Sequence, residues 1–203
     1  MRYRPDTLSS IILDSRNKYR IPLNTFLVVD EFFHSRSVLF SCQRREDTET
    51  HTWVLHHLRN YLVAPDGVMA SDFDAGFCAA VKDVLPERFY ILCLHHMCGN
   101  ISEKMRSLLG NQDYVQANGY FWSIYRSTSP DEFDLRMNDF LERFPTLQGY
   151  FQSVVIPTRH QWAGYSVNSF FTAGLRTTGR LEKENAINKT LGDLKTSIVD
   201  LVD

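Results

Sequence analysis

The chain has 203 residues, with 22 Lys and Arg against 24 Asp and Glu, a formal net charge of −2, 43% apolar residues and 23% charged ones. This length allows one sizeable core, and the composition is that of an ordinary globular protein without the basic footprint of a dedicated DNA-binding domain. No apolar run nears the roughly 20 residues a membrane-spanning helix needs, and the opening MRYRPDTLSS lacks the apolar segment of a signal peptide. An intracellular protein is expected, with Cys42, Cys78, Cys93 and Cys98 as reduced thiols, because they are too few and too irregularly spaced for a disulfide scaffold.

In chain order, LSSIIL (8–13) is a short apolar run ending at Asp14. IPLNTFLVVDEFF (21–33) and SVLFSC (37–42) follow, rich in β-branched and aromatic residues and joined by the turn-like HSR. Three strands on short links predict an antiparallel meander. EDTETHTWVLHHLRNYL (46–62) changes period, and Trp53, Leu55, Leu58 and Leu62 are read as its helical face. GVMASD (67–72) is a strand entered through Pro65 and Gly67, and AGFCAAVKDVL (75–85) a helix stopped by Pro86. RFYILCL (88–94) is a strand, and HHMCGNISEKMRSLLG (95–110) a helix ended by Gly110. The order βββαβαβα is that of the ribonuclease H-like fold. The expected architecture is therefore α/β, a mixed five-stranded sheet flanked by helices.

From 112 to about 175 the strand signals thin out. NGYFWSIYRS (118–127) reads as helix, and SPDEFDLRMNDFLERFP (129–145) opens with a capping box of Ser129 and Glu132, with Pro130 at the first helical position. Phe133, Met137, Phe140, Leu141 and Phe144 form the apolar face of that helix. LQGYFQSVV (147–155) and WAGYSVNSFFTAGL (162–175) predict further helices. The last helix begins near Leu181, with Ile187, Leu191, Leu194, Ile198 and Leu201 as its stripe and Glu182, Asn185 and Lys189 on another face. The expected division is a ribonuclease H-like core over 1–110, an all-helical insertion over 111–176, and a final core helix over 177–203.

In this layout Asp14 ends the first strand, Asp72 ends the fourth and Glu182 opens the last helix. Converging carboxylates of this kind hold two divalent ions roughly 3.5–4 Å apart, which clamp the attacking and leaving oxygens of a phosphodiester displacement. Hard cations such as Mg²⁺ take oxygen donors. Singly, an Asp at a strand end is most often a turn or helix cap, and a Glu in a first helical turn is favoured by the macrodipole. The joint placement on one element order carries the reading.

Five stretches, RNKYRIPL (16–23), EDTETHTW (46–53), ASDFDAGFCAAVKDVLP (70–86), LCLHHMCGNI (92–101) and GLRTTGRLEKENAINK (174–189), stand in the order and form of one family's motifs. From about 11 to 190 the chain resembles the catalytic domain of Mutator-like element (MULE) transposases, a domain also found in related plant factors of the far-red-impaired-response type. Ile21 replaces the family's Met, and His95 stands where Trp is usual. The resemblance implies a DDE-type DNA transposase that cuts at element ends and joins the freed 3′-hydroxyl to target DNA. Asp14, Asp72 and Glu182 would be its catalytic and metal-binding residues, with two Mg²⁺ or Mn²⁺ ions. Asp72 and Glu182 fall on the second and third carboxylate positions, and Glu184 on a variable one. The first position is a departure. In the family's D-x-T-Y-x-x-N the Asp lies six residues before the Asn, which here is Ile11 before Asn17. An alignment with a gap of about three residues puts Asp14 there instead, and the apolar IIL before Asp14 favours it.

The resemblance also implies DNA (transposon ends and target) and another copy of the chain as partners, a nuclear location, and supporting or DNA-contacting roles for Cys93, His96, Arg180, Asn185 and Lys189. Arg180 and Lys189, with Lys183, would position phosphates rather than read bases. Cys93 and His96 form a C-x-x-H pair, whereas four-coordinate structural zinc needs two more ligands. The aromatics Tyr120, Phe121, Trp122, Tyr125, Trp162 and Tyr165 are expected in a core rather than as a base-stacking platform. The contrasting reading is a domesticated or degenerate domain that keeps the fold without catalysis and serves in DNA-bound regulation or protein association. The near-neutral charge and the displaced first Asp favour it. A nuclease of the same fold is the third possibility.

Overall fold

β-Branched and aromatic residues set the strands, and one of them organises the rest. The structure, a computed structural model, describes residues 7–13, 21, 23–29, 32, 34–62, 67–72, 74–172, 174 and 176. β1 (Thr7–Leu13) runs antiparallel to β2 (Leu23–Val29), with Thr7 opposite Val29 and Leu13 opposite Leu23. β2 pairs antiparallel with β3 (Ser35–Cys42), with a register shift at Phe26/Leu27. On its other side β1 lies parallel to β4 (Gly67–Ser71), with Leu8 beside Met69 and Ser9 beside Ala70. β4 is parallel to β5 (Arg88–Leu92), from Gly67 beside Arg88 to Ser71 beside Leu92. The result is one mixed five-stranded sheet in the order β3-β2-β1-β4-β5. β4 has parallel neighbours on both sides, and its Val68, Met69 and Ala70 are buried, as the uninterrupted apolar run requires. The strand expected over 21–33 is shorter, because β2 ends at Val29 and Phe32 lies in a turn.

α1 (Thr48–Arg59) and α2 (Ala75–Val84) pack on one another. Asp47 caps α1 by accepting from the Thr50 N–H at 3.0 Å, and Asp74 caps α2 by accepting from the Phe77 N–H at 2.6 Å. At the other end Arg59 of α1 reaches the Val84 carbonyl and the Glu87 carboxylate. The buried face of α1 is His51, Val54, Leu55 and Leu58, an i, i+3, i+4, i+7 stripe. This corrects the expected face: Trp53 is 60% exposed, with its ring 4.2 Å from that of His57. Trp53 and Leu55 are two residues apart and so point to different sides of a helix.

The chain divides into two compact units, 1–93 with 171–203, and 94–170. The boundary expected at 110 falls inside α3 (Leu94–Tyr125), at a break where Gly110 has φ 74° and ψ 177°. That backbone region is open essentially to glycine alone. α4 (Pro130–Arg143) carries the anticipated cap, with Ser129 accepting from the Glu132 N–H at 3.1 Å. Glu132 reaches back to the backbone N–H of Thr128, one residue before the cap, rather than to that of Ser129. A turn of α-helix, α5 (Gln148–Tyr150), then runs into a π turn (Phe151–Val155) and a 3₁₀ stretch (Ile156–Gln161), where Pro157 donates no N–H to a regular α ladder. The helix expected over 162–175 is confined to α6 (Gly164–Val167). Phe170 and Phe171 are 44% and 46% exposed, so no apolar face extends the helix.

Phe121, Phe133, Phe140, Phe151 and Trp162 form the centre of the second unit. The Trp162 ring lies 5.6 Å from both Phe121 and Phe133, and Phe140 lies 4.9 Å from Phe151. These are the offset and edge-on spacings that aromatic rings prefer. Of the aromatics expected in a core, Phe121 and Trp162 are there, whereas Tyr120, Trp122, Tyr125 and Tyr165 are half-buried. No helix among the described residues is long and apolar enough to cross a membrane.

Candidate functional site

β1, β4 and β5 are parallel, so the residues that follow β4 and β5 emerge at the same end of the sheet. Asp72 is the residue after β4, and Cys93 the residue after β5. The Cys93 N–H donates to the Ser71 carbonyl at 2.8 Å, carrying the ladder one step past the strands. Asp72 is half-buried and Cys93 buried. His96 lies two residues beyond Leu94, in the first turn of α3.

The backbone of Asp72 is fixed from behind. Its carbonyl accepts from the Asp74 N–H at 2.9 Å, from the Ser71 hydroxyl at 2.8 Å and from the Tyr90 hydroxyl at 3.2 Å. The Ser71 and Tyr90 hydroxyls also touch each other, and the Cys78 thiol donates to Tyr90 at 3.3 Å. Burial pushes the Tyr90 phenol well above its usual range, so it remains a donor. Tyr90→Phe should therefore cost about 1 kcal/mol, since the Asp72 carbonyl keeps its other donors. A urea-unfolding midpoint shift with unchanged slope would measure it.

Behind α2's cap sits a residue the apolar pattern concealed. His51 is fully buried, and neither ring nitrogen has a hydrogen-bond partner. Its Nε2 lies 3.7 Å from Asp74 Oδ1, and its ring stands edge-on to Phe77 at 5.3 Å. Burial pushes the imidazole below its ordinary range, against the opposing pull of Asp74, Asp47 and Glu46. A base depressed in the folded state protonates first in the unfolded chain, so its contribution is complete above about pH 6.5 and is lost as pH falls towards the folded-state value. The melting temperature of the wild type should thus decline from about pH 7 to about pH 5, by about 1.4 kcal/mol of stability for every unit separating the two states. Scanning calorimetry across that range should show a flatter decline for His51→Gln.

Of the residues anticipated from sequence, the structure places Asp72 and Cys93 at the same end of the sheet, after β4 and β5, and His96 in the first turn of α3. Asp14, Arg180, Glu182, Asn185 and Lys189, like the helix expected over 177–203, lie outside the described residues. All four cysteines are free thiols, as expected. Ile11, the other alignment for the first carboxylate, is in β1. β1 pairs with β4 through Leu8 beside Met69 and Ser9 beside Ala70.

Residues 15–100 match the family model described as the MULE transposase domain. Two proteins of Arabidopsis thaliana are similar over most of the chain. Protein FAR1-RELATED SEQUENCE 4 is 28% identical over 191 residues, covering 92% of this chain and 26% of that protein. Protein FAR-RED IMPAIRED RESPONSE 1 is 25% identical over 173 residues, covering 82% of this chain and 20% of that protein. The chain thus spans about a quarter of the length of the first and a fifth of the second.

Proposed function

From the match of residues 15–100 to the MULE transposase domain model, we propose that this chain is a transposase-derived domain that has given up DNA cleavage and serves in DNA-bound regulation or protein association in the nucleus. The observation that carries this reading is the displaced first carboxylate: six residues before Asn17, where the family's motif has Asp, this chain has Ile11. Two-metal chemistry needs carboxylates facing each other across a metal pair about 4 Å apart. At that motif position β1 supplies an aliphatic residue type, which cannot ligate a metal. At the sheet end that carries Asp72, β5 is followed by Cys93, whose thiol is a poor Mg²⁺ donor. Similarity to two plant proteins named for far-red response rather than for transposition points the same way.

The competing reading is an active enzyme, with Asp14, Asp72 and Glu182 holding two Mg²⁺ or Mn²⁺ ions and the chain acting on transposon ends and target DNA. In either case a near-neutral domain would hold DNA through phosphate contacts, weakly and with strong salt dependence. Incubating the purified chain with supercoiled plasmid separates the readings. The expected result is no Mg²⁺- or Mn²⁺-dependent nicking, and an electrophoretic shift on duplex DNA unchanged by chelator or by Asp72→Ala. Nicking that disappears with chelator and with Asp72→Ala would restore the enzyme.

A further inference from the structure

We propose that the outer ridge of α1, the row Trp53–His57–Tyr61, is the contact through which two copies of this chain pair, antiparallel and about a two-fold axis at His57. Exposure singles the row out. Trp53 is 60% and Tyr61 82% exposed, and His57 between them is exposed as well. The three stand four residues apart, the spacing of one ridge on a helix. The Tyr61 N–H donates to the Leu58 carbonyl at 2.9 Å, which carries the winding past the last residue of α1. The ridge is also preformed. The His57 ring lies 4.2 Å from that of Trp53, and its Nδ1–H donates to the Trp53 carbonyl at 2.9 Å. Side chains already held in place lose little entropy on docking, and Trp and Tyr dominate the energetics of protein contacts.

Charge and symmetry name the occupant. With histidines neutral, residues 50–62 hold a single formal charge, Arg59, which is engaged by the Glu87 carboxylate and the Val84 carbonyl. Along this ridge a polyanion or an acidic peptide finds no spare counter-charge, whereas a copy of the same ridge meets no like charge. A two-fold contact is self-complementary, so a residue that touches another is touched by it in turn. Trp53 lies four residues before His57 and Tyr61 four after, so antiparallel ridges set Trp53 against the partner's Tyr61 twice. Trp and Tyr side chains carry up to about 250 Å² each. Covering the row and its flanks on both copies removes roughly 1,200 Å², the low end of specific interfaces and the size of a reversible dimer. The contact specifies the protein association proposed above and rests on that reading.

Sedimentation equilibrium of the full chain, from about 1 to about 200 μM, tests it. The wild type should show a reversible monomer–dimer equilibrium. Trp53→Ala and Tyr61→Ala should each raise the dimer dissociation constant at least about tenfold. Leu135→Ala, at a residue 71% exposed on α4, should leave it unchanged. Both ridge side chains are on the surface, so circular dichroism of their variants should match that of the wild type. The two-fold register has its own signature. Trp53→Lys and Tyr61→Glu chains should each self-associate poorly, while their mixture should form a heterodimer. In that mixture one contact sets Lys against Glu and the other keeps Trp against Tyr. A wild type that stays monomeric throughout, alanine variants that dimerise like the wild type, or a mixture no tighter than its components would overturn the ridge. Plasmid nicking reads the loss of cleavage separately, so failure of the dimer and failure of that reading are distinguished.

Discussion

Replacing Trp162 with alanine is expected to remove about 3–5 kcal/mol from the stability of the helical unit, the upper range for a large-to-small core substitution. The side chain is 2% exposed and sits between Phe121 and Phe133, each 5.6 Å away ring to ring. Its Nε1–H donates to the Val155 carbonyl at 3.2 Å, inside the π turn. The truncation therefore opens a cavity and takes one donor from the Val155 carbonyl, which keeps the Thr158 hydroxyl at 3.0 Å, at the point where regular helical bonding is already interrupted. Total stabilities of domains are commonly about 5–15 kcal/mol, so most of the unit's reserve is at stake. Trp162→Phe separates the two contributions by restoring much of the volume without the donor. Denaturant unfolding followed by near-ultraviolet circular dichroism reads both. A loss under about 1 kcal/mol in the alanine variant would mean that the ring is not packed as described.

Gly164→Ala should cost about 1–3 kcal/mol or more, despite adding a single methyl group. A Cβ at this position would lie 2.5 Å from the Tyr125 carbonyl oxygen and 3.5 Å from that of Ser127. Both obstacles are main chain, so relief requires moving the end of α3 or the start of α6. Gly119→Ala is the contrasting control. It lies in α3 with no atom within 4 Å of the added methyl, and a helical Gly→Ala change in open space stabilises by about 0.5–1 kcal/mol. Melting temperatures of the pair should move in opposite directions. Trp162 and Gly164 are close enough that their effects should not be summed.

How much of this was legible beforehand depended on whether periodicity or long-range pairing did the placing. The alternation of β-branched runs with helical stretches marked all five strands and the helices up to Gly110, because each element's pattern is local. The face of α1 was misjudged because its buried stripe opens with His51, a polar type that apolar counting skips, while the large Trp53 drew attention to the exposed side. The stretch 162–175 looked helical from its aromatics. Trp162 instead serves the core from the end of the 3₁₀ stretch, and Gly164 allows a backbone approach that no pattern announces. Cys93 and His96 stood out as a C-x-x-H pair. Asp72, 21 residues before Cys93, reaches the same end of the sheet only through the parallel pairing of β4 with β5. The available signal was two successive predicted strands, the first ending on Asp72 and the second carrying Cys93 one residue before its end.

β1 has a hairpin partner on one flank and, on the other, a neighbour far along the chain: Leu8 meets Met69, 61 residues later (69 − 8). The meander can zip up from short loops, whereas the second flank must wait for a long closure, which slows folding. On a ribosome adding about 5–20 residues per second, those 61 residues take roughly 3–12 s. Throughout that interval the nascent chain carries a bare row of amides and carbonyls along its future central strand, a template for pairing with other chains. Chaperone occupancy or aggregation during synthesis should accordingly peak before β4 emerges and fall once it docks.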